Sequence, residues 1–121
     1  MVELRPDILA TRPSPAGVRF DLRVPADLSC FRDHFPGFPL LPGVVQLDWA
    51  LALARPQFSL PPRFTHIAEL KFMHPVAPGE QVELDLSFDG ARSEVRFCFR
   101  DRAGRECSSG RIGFKPDRAD V

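Results

Sequence analysis

A carboxylate inside an apolar segment is the feature of this sequence that most directly suggests chemistry. Asp48 lies in a stretch of valines, leucines and alanines in which Gln46 is the other interior polar residue. A carboxylate that is buried loses hydration, and this loss favours its protonated form. Asp48 is therefore a candidate proton donor. The alternative is a structural role, in which Asp48 caps a loop or pairs with an arginine such as Arg63.

A histidine and a glycine near this carboxylate could complete a site. His34 precedes the apolar segment by a loop rich in proline and glycine, and imidazole accepts a proton near neutral pH. A lone histidine is more often structural, but beside Asp48 it would form an acid–base pair. The first amides of a helix that begins near Gly43 would lack partners, and the helix dipole would add partial positive charge. The Gly43 N–H could then bind a carbonyl oxygen that gains negative charge, which suits proton abstraction next to a carbonyl.

The hydrophobic pattern predicts the elements that hold these residues. Residues 42–55 predict a helix, because Pro42 is tolerated in a first turn and no further proline interrupts the segment. This segment is apolar on every side, so the helix is expected to be buried. Alternation of apolar and polar residues predicts strands at residues 17–24, 63–76, 82–88, 95–99 and 104–114. One buried helix followed by an antiparallel meander predicts an α+β fold in which a sheet wraps around a central helix.

The composition is that of a single globular domain. The chain has 121 residues, of which 44% are apolar and 26% charged, and its formal net charge is zero. Zero net charge argues against a nucleic-acid-binding protein, which normally carries a basic excess. Residues 1–16 have several prolines and little periodicity, so they are expected to form an irregular N-terminal lead-in. The folded domain is expected over residues 17–121.

The sequence predicts no membrane segment, disulfide framework or metal site. The longest low-charge stretch, residues 36–54, is interrupted by prolines and polar residues and could not span a bilayer. Cys30, Cys98 and Cys107 lack metal-binding spacing, so reduced thiols and a cytoplasmic location are expected. His66 and His74 are expected to be structural or solvent-facing rather than metal ligands.

Several motifs at matching spacings carry a family resemblance. The run HFPG at 34–37, followed by LPGV at 41–44 and then Asp48, resembles the signature of the β-hydroxyacyl-acyl-carrier-protein dehydratases. The stretches IAELKF at 67–72 and PVAPGE at 75–80 are similar to that family's central strand and the turn after it. The resemblance implies a single hot-dog domain, in which an antiparallel sheet wraps around one long buried central helix.

The resemblance also implies a role for each site residue. His34 would be the base that removes a C2 proton from a 3-hydroxyacyl thioester, and Asp48 would protonate the departing 3-hydroxyl as water. Gly43 N–H would hold the thioester carbonyl, with Phe35, Gly37 and Val44 contacting the substrate around it. No cofactor is implied, because the substrate is carried on the phosphopantetheine arm of acyl carrier protein.

The same resemblance implies partners. In the family the facing histidine and carboxylate come from different subunits, so a homodimer, or a higher oligomer built from it, is expected. Neither nucleic acid nor a membrane is expected as a partner. Acyl carrier protein is acidic, and a docking surface for it is expected at arginines of the last strands. Those arginines are Arg96, Arg100, Arg102 and Arg105. The alternative is that they form a solvated sheet face.

The chain departs from the family pattern around the acid. Many members carry Glu at the position of Asp48, and a smaller branch that also isomerises the product carries Asp. Ala52 replaces the glutamine typical of that branch, and bulky Trp49 stands beside the acid. These departures indicate a divergent member, similar to the small dehydratases of aryl polyene synthesis. Two alternatives remain open, a hot-dog acyl-thioesterase and a non-catalytic acyl-thioester-binding partner of a synthase.

Overall fold

One antiparallel sheet and one helix make up the part of the chain that the structure describes. The computed structural model describes residues 5–28 and 40–114. The elements are β1 (Asp7–Ser14), β2 (Gly17–Arg23), α1 (Gly43–Phe58), β3 (Phe64–Phe72), β4 (Gln81–Asp89), β5 (Glu94–Asp101) and β6 (Glu106–Phe114). The six strands form one sheet in the order β1-β2-β4-β5-β6-β3, with every neighbouring pair antiparallel.

The core lies between helix α1 and one face of this sheet. Alternate residues of β2, β4 and β5 are buried, because successive side chains of a strand point to opposite faces. Helix α1 meets this face with Val45, Trp49, Ala50 and Ala54, all of them buried. The predicted α+β fold, a single domain with an antiparallel sheet around a helix, is confirmed.

The N-terminal residues contradict the expectation of an irregular lead-in. Asp7–Ser14 form strand β1, which pairs with β2 from Asp7 opposite Arg23 to Ser14 opposite Gly17. Strand β1 lies at the edge of the sheet, so one side of its backbone has no pairing strand and prolines are tolerated there. The expected domain boundary at residue 17 therefore does not separate two units, since β1 extends the same sheet.

Helix α1 is longer than predicted at its C-terminal end. It continues through Pro56 to Phe58, although a proline cannot donate a hydrogen bond to the carbonyl one turn earlier. Tertiary contacts hold this last turn in place. The Arg55 guanidinium donates to the carbonyl oxygens of Pro61 and Pro62, at 3.3 Å each, and lies 6.0 Å from the ring centroid of Phe114.

The composition of helix α1 predicted burial on every side, but the structure leaves one side exposed. Val44 is 74% exposed and Asp48 is also exposed, whereas Val45 and Trp49 contact the core. A single sheet can cover only one side of a helix, so the opposite side stays uncovered in a single chain. In the described part of the chain, this helix is not long and apolar enough to cross a bilayer.

The uncovered side of helix α1 continues onto strand β3, the second edge of the sheet. We call the following exposed residues the apolar face: Val44, Phe64, Leu70, Phe72 and Met73. Phe64 and Phe72 are 47% and 52% exposed, respectively. Contiguous exposed apolar side chains on a folded chain commonly mark an interaction site.

Arg111 links three strands through two carboxylates. Its Nη1 donates to both carboxylate oxygens of Glu94, at 3.0 and 3.2 Å. Its Nε lies 3.2 Å from Glu69 Oε1, in an orientation that makes no hydrogen bond. The Glu94 side chain is 9% exposed, so its charge depends on this guanidinium.

We expect Arg111→Met to destabilise the protein strongly, because it leaves the Glu94 carboxylate buried and without its cation. Urea denaturation at pH 7 should show a clearly lower free energy of unfolding than for the unmodified protein. Arg105→Met is the matched control, because the backbone amides of Ala103 and Arg105 still donate to Asp101, so its loss should be much smaller. Equal losses in the two variants would contradict the role assigned to Arg111.

Candidate active site

Two amide donors without partners lie at the start of helix α1. The Pro42 carbonyl accepts hydrogen bonds from the amides of Val45 and Gln46, at 3.1 and 3.2 Å. No side chain caps the helix at Pro42, and the Gly43 and Val44 amides make no hydrogen bond within residues 5–28 and 40–114. The helix dipole adds partial positive charge at this end. The arrangement can therefore bind a carbonyl oxygen or an oxyanion.

An aromatic ring lies against the backbone of Gly43, which has no side chain in its way. A Cβ atom at residue 43 would be 2.6 Å from Cζ of Phe72 and 2.8 Å from its Cε1. Real Cβ contacts of this length do not occur, so any other residue would displace the ring or the helix start. Phe72, the last residue of β3, thus forms one wall beside the Gly43 amide.

Two adjoining grooves meet at the start of the helix. The larger, of about 490 Å³, lies beside the unpaired amides, and the smaller, of about 190 Å³, lies beside Asp48. Both are lined by Val44 and Leu47, so the two grooves share a wall. The other residues of the larger groove include Gly43, Leu70, Phe72, Met73, His74 and Pro75. The other residues of the smaller groove are Asp48, Leu51, Phe64, Ile67 and Ile112.

Asp48 lies in a different environment from the one that the sequence predicts. It is exposed in the single chain, on the same side of the helix as Val44, which precedes it by one turn. The alternative pairing with Arg63 is not formed, and Asp48 makes no hydrogen bond or ion pair with any residue the structure describes. Its carboxylate instead borders an apolar groove, which a second chain or a substrate could close.

Part of the predicted site lies outside the described residues. His34, Phe35 and Gly37 belong to residues 29–39, which the structure does not describe. Gly43, Val44 and Asp48 are described, and the first two turns of helix α1 bring them together. The pairing of His34 with Asp48 therefore stays a prediction.

Three of the four arginines predicted to bind carrier protein make polar contacts within the chain. Arg100 donates to Asp85 at 2.5 Å and Arg105 to Asp101 at 2.9 Å, while Arg102 donates to Gln81 at 3.0 Å. Hydrogen bonds from the backbone amide and the guanidinium of Arg105 lower the pKa of Asp101. Arg96 is exposed and makes no ion pair with the residues described. The docking of a carrier protein on these residues stays a prediction.

His66 and His74 lie at the surface, as expected, and Cys30 lies outside the described residues. His66 is exposed, with Nε2 3.7 Å from Glu94 Oε2, and His74 is exposed at the larger groove. Burial raises the pKa of the Cys98 thiol, and it raises that of Cys107 to about 11. Thiolates are the reactive form, so neither cysteine is activated at neutral pH. In the described part of the chain, no three metal-ligating side chains cluster.

The structure adds groove residues that the sequence interpretation missed. Phe72 and His74 line the larger groove, and Phe64 and Ile67 line the smaller one. All four belong to β3 or to the residues directly after it, within or near the motifs IAELKF and PVAPGE. These motifs indicate that the segment belongs to the site region. The alternation of side chains along one strand, however, does not show which of its residues approach the helix.

Comparison with known proteins identifies the family. The family model described as ApeI-like, ApeI dehydratase, matches residues 10–111. The chain belongs to the ApeI-like dehydratase family. The match includes most of strand β1, which agrees with the pairing of β1 and β2 in one sheet.

Curated relatives of this family member include 3-hydroxyacyl-acyl-carrier-protein dehydratases named FabZ. The enzyme of Haemophilus influenzae is 41% identical over 66 residues, which cover 47% of this chain and 44% of that protein. The enzyme of Erythrobacter litoralis is 35% identical over 86 residues, which cover 63% of this chain and 56% of that protein. The chain thus spans about half the length of the curated relatives it matches.

Solved structures of similar chains confirm the hot-dog fold. A chain of the dehydratase heterocomplex ApeI:P from Xenorhabdus doucetiae superposes with a TM-score of 0.82 at 28% identity, covering 93% of this chain and 99% of that chain. An uncharacterized protein from Erwinia carotovora subsp. atroseptica gives a TM-score of 0.80 at 32% identity, covering 92% and 96%. This ApeI-like chain is therefore similar in fold along almost its whole length to a dehydratase subunit.

We expect Gly43→Ala to destabilise this ApeI-like protein by at most about 1 kcal/mol, because the added methyl group collides with the Phe72 ring but that half-exposed ring can move. Urea denaturation measures the loss. The same substitution in a Phe72→Leu background should cost less, since the shorter side chain removes the collision. Gly90→Ala is the control, because the nearest atom to its added methyl group, Phe88 Cε2, would be at 3.8 Å. An equal cost of Gly43→Ala in both backgrounds would exclude the ring contact as its cause.

Proposed function

We propose that this chain catalyses the dehydration of (3R)-3-hydroxyacyl thioesters on acyl carrier protein to trans-2-enoyl thioesters. The observation that carries the proposal is the pair of amides at Gly43 and Val44, which have no partner in residues 5–28 and 40–114 and lie about one helical turn from the exposed carboxylate of Asp48. These groups line two grooves that share a wall, which suits a substrate with a carbonyl and a hydroxyl two carbons apart. Membership of the ApeI-like dehydratase family supports the same reaction class.

In the proposed mechanism, the helix start stabilises the charge that develops during proton removal. The thioester carbonyl oxygen accepts a hydrogen bond from the Gly43 amide, and His34 removes a proton from C2. The electron pair of the broken C–H bond forms the C2–C3 double bond as the C3–O bond breaks. Asp48 transfers its proton to the departing hydroxyl, which leaves as water. Transfer of the proton from His34 to Asp48, directly or through solvent, restores both groups.

The apolar face supports a second chain as a partner in this site. Val44, Phe64 and Phe72 are exposed apolar side chains, and between them they border both grooves. A chain of the heterocomplex ApeI:P of Xenorhabdus doucetiae shares this fold. We infer that a second copy of this chain covers the face and contributes His34 to the site that contains Asp48. The alternative is that a different hot-dog chain covers the same face, and the association experiment below distinguishes these two partners.

We expect His34→Ala and Asp48→Asn each to reduce dehydration by about 10²- to 10⁴-fold, because each removes a proton-transfer group. The assay supplies 3-hydroxyacyl carrier protein and follows enoyl formation, with circular dichroism as the check on folding. Asp27→Asn is the matched control, since this carboxylate is exposed and lies away from both grooves.

The two inactive variants should complement each other if the site is shared between copies. A mixed dimer of His34→Ala and Asp48→Asn chains has one site with both groups intact, so mixing should restore part of the activity. Full activity of both single variants would refute the site assignment. Release of free thiol without enoyl product would indicate a thioesterase, and tight binding of acyl carrier protein without turnover would indicate a non-catalytic partner.

We expect Phe64→Glu to prevent self-association, because it places a charge within the apolar face. Sedimentation equilibrium should show a dimer or larger assembly for the unmodified chain and a monomer for the variant. Ile8→Glu is the matched control, since Ile8 is 52% exposed on the opposite edge strand, β1. A monomeric unmodified chain that associates only with a second hot-dog protein would replace the homodimer with a heterocomplex.

A further inference from the structure

A pair of polar side chains lies inside the apolar core, directly behind the start of helix α1. Gln46 is 4% exposed and Ser108, on β6, is fully buried. The Ser108 hydroxyl donates to Gln46 Oε1 at 2.7 Å, and Gln46 Nε2 donates to the Leu41 carbonyl oxygen at 3.2 Å. Burying an amide and a hydroxyl costs free energy unless they are hydrogen-bonded, so these contacts select one arrangement of the three groups.

Leu41 is held from both sides, two residues before Gly43. Its amide donates to the Val76 carbonyl oxygen at 2.7 Å, and its carbonyl accepts from Gln46. The helix has no side-chain cap at Pro42. The Gln46 side chain, which lies in the core, therefore holds the residues that lead into the helix. In many helices a capping side chain at the surface has this role.

Ser108 is connected to Gly43 by a second route. Its register partner on the edge strand β3 is Phe72, whose ring lies against the backbone of Gly43. The same residue of β6 thus contacts Gln46 through its side chain and aligns Phe72 through its backbone. Both sets of contacts therefore lead to the Gly43 amide at the larger groove.

We propose that Gln46 and Ser108 are positioning residues that set the location of the Gly43 amide relative to Phe72. The proposal rests on the dehydratase function proposed above, in which that amide holds the thioester carbonyl. A hydrophobic side chain at residue 46 would fill the same volume and leave the Leu41 carbonyl unpartnered. The amide group of Gln46 is thus required by the geometry of the helix start rather than by packing alone.

The first test separates binding from turnover. Gln46→Met keeps the approximate length of the side chain and removes both hydrogen bonds. Because an oxyanion donor acts mainly on the transition state, kcat should fall about 10- to 100-fold while KM changes less than about threefold. Ser108→Ala should give a smaller loss in the same direction. The double variant should be no slower than Gln46→Met alone, because the two residues act as one unit.

Matched controls exist on the same two elements. Gln57→Met replaces an exposed glutamine near the end of helix α1, and Ser109→Ala replaces the neighbouring serine on the opposite face of β6. Both controls should leave kcat and KM unchanged. A kcat of Gln46→Met equal to that of Gln57→Met would overturn the proposal.

The second test does not depend on turnover. In Gln46→Met, hydrogen–deuterium exchange of the Leu41 amide and the first turn of helix α1 should become about tenfold faster, with no change in β4 and β5. Unchanged exchange at Leu41 would overturn the positioning role even where kcat falls. If the unmodified protein dehydrates no 3-hydroxyacyl thioester, the proposed function fails, and the exchange result alone decides the positioning role. Ser108→Ala provides the same measurement if Gln46→Met does not fold.

Discussion

Helix α1 can bury only one side against the sheet, and the candidate site depends on which side that is. Val45, Trp49, Ala50 and Ala54 pack into the core, so Val44 and Asp48 must lie on the opposite side. The helix also begins without a side-chain cap, so at its positive end the Gly43 amide has no hydrogen-bond partner among the described residues. The packing of one helix side against the sheet therefore leaves the Gly43 amide and the Asp48 carboxylate along one exposed edge. Strand β3 closes this edge with aromatic and aliphatic side chains.

On the face of the sheet away from helix α1, most arginines pair with carboxylates of the same chain. Asp85 accepts hydrogen bonds from both Arg19 and Arg100, and Glu94 pairs with Arg111. The net charge of zero follows from equal numbers of basic and acidic residues, and these networks place arginines and carboxylates side by side on this face. A carrier protein that docks on this face would meet few free cations. Arg96 is the one arginine of the predicted docking set without an ion pair or hydrogen bond in the described part of the chain.

The apolar face lies along one edge of the molecule, on helix α1 and on and beside strand β3. The chain belongs to the ApeI-like dehydratase family and shares its fold with a subunit of the ApeI:P heterocomplex. An exposed edge strand with Phe64 and Phe72 is unfavourable for an isolated protein, because unpaired strand edges and apolar side chains promote association. The proposed second copy would cover both and bring His34 to the carboxylate. Under the proposed function, covering this edge would account both for association and for completion of the site.

The sequence by itself determined the fold class, the strands β2 to β6, the helix and the family. The periodicity of apolar residues indicates the conformation of each segment, and the motif LPGV at 41–44 indicates a helix start that resembles that of the family. Only the tertiary structure decided that β1 joins the sheet, that the helix passes Pro56, and that Asp48 is exposed. It also decided the pairing of Gln46 with Ser108, 62 residues apart. Such contacts depend on strand order and register across the whole chain, and no local pattern of side chains encodes them.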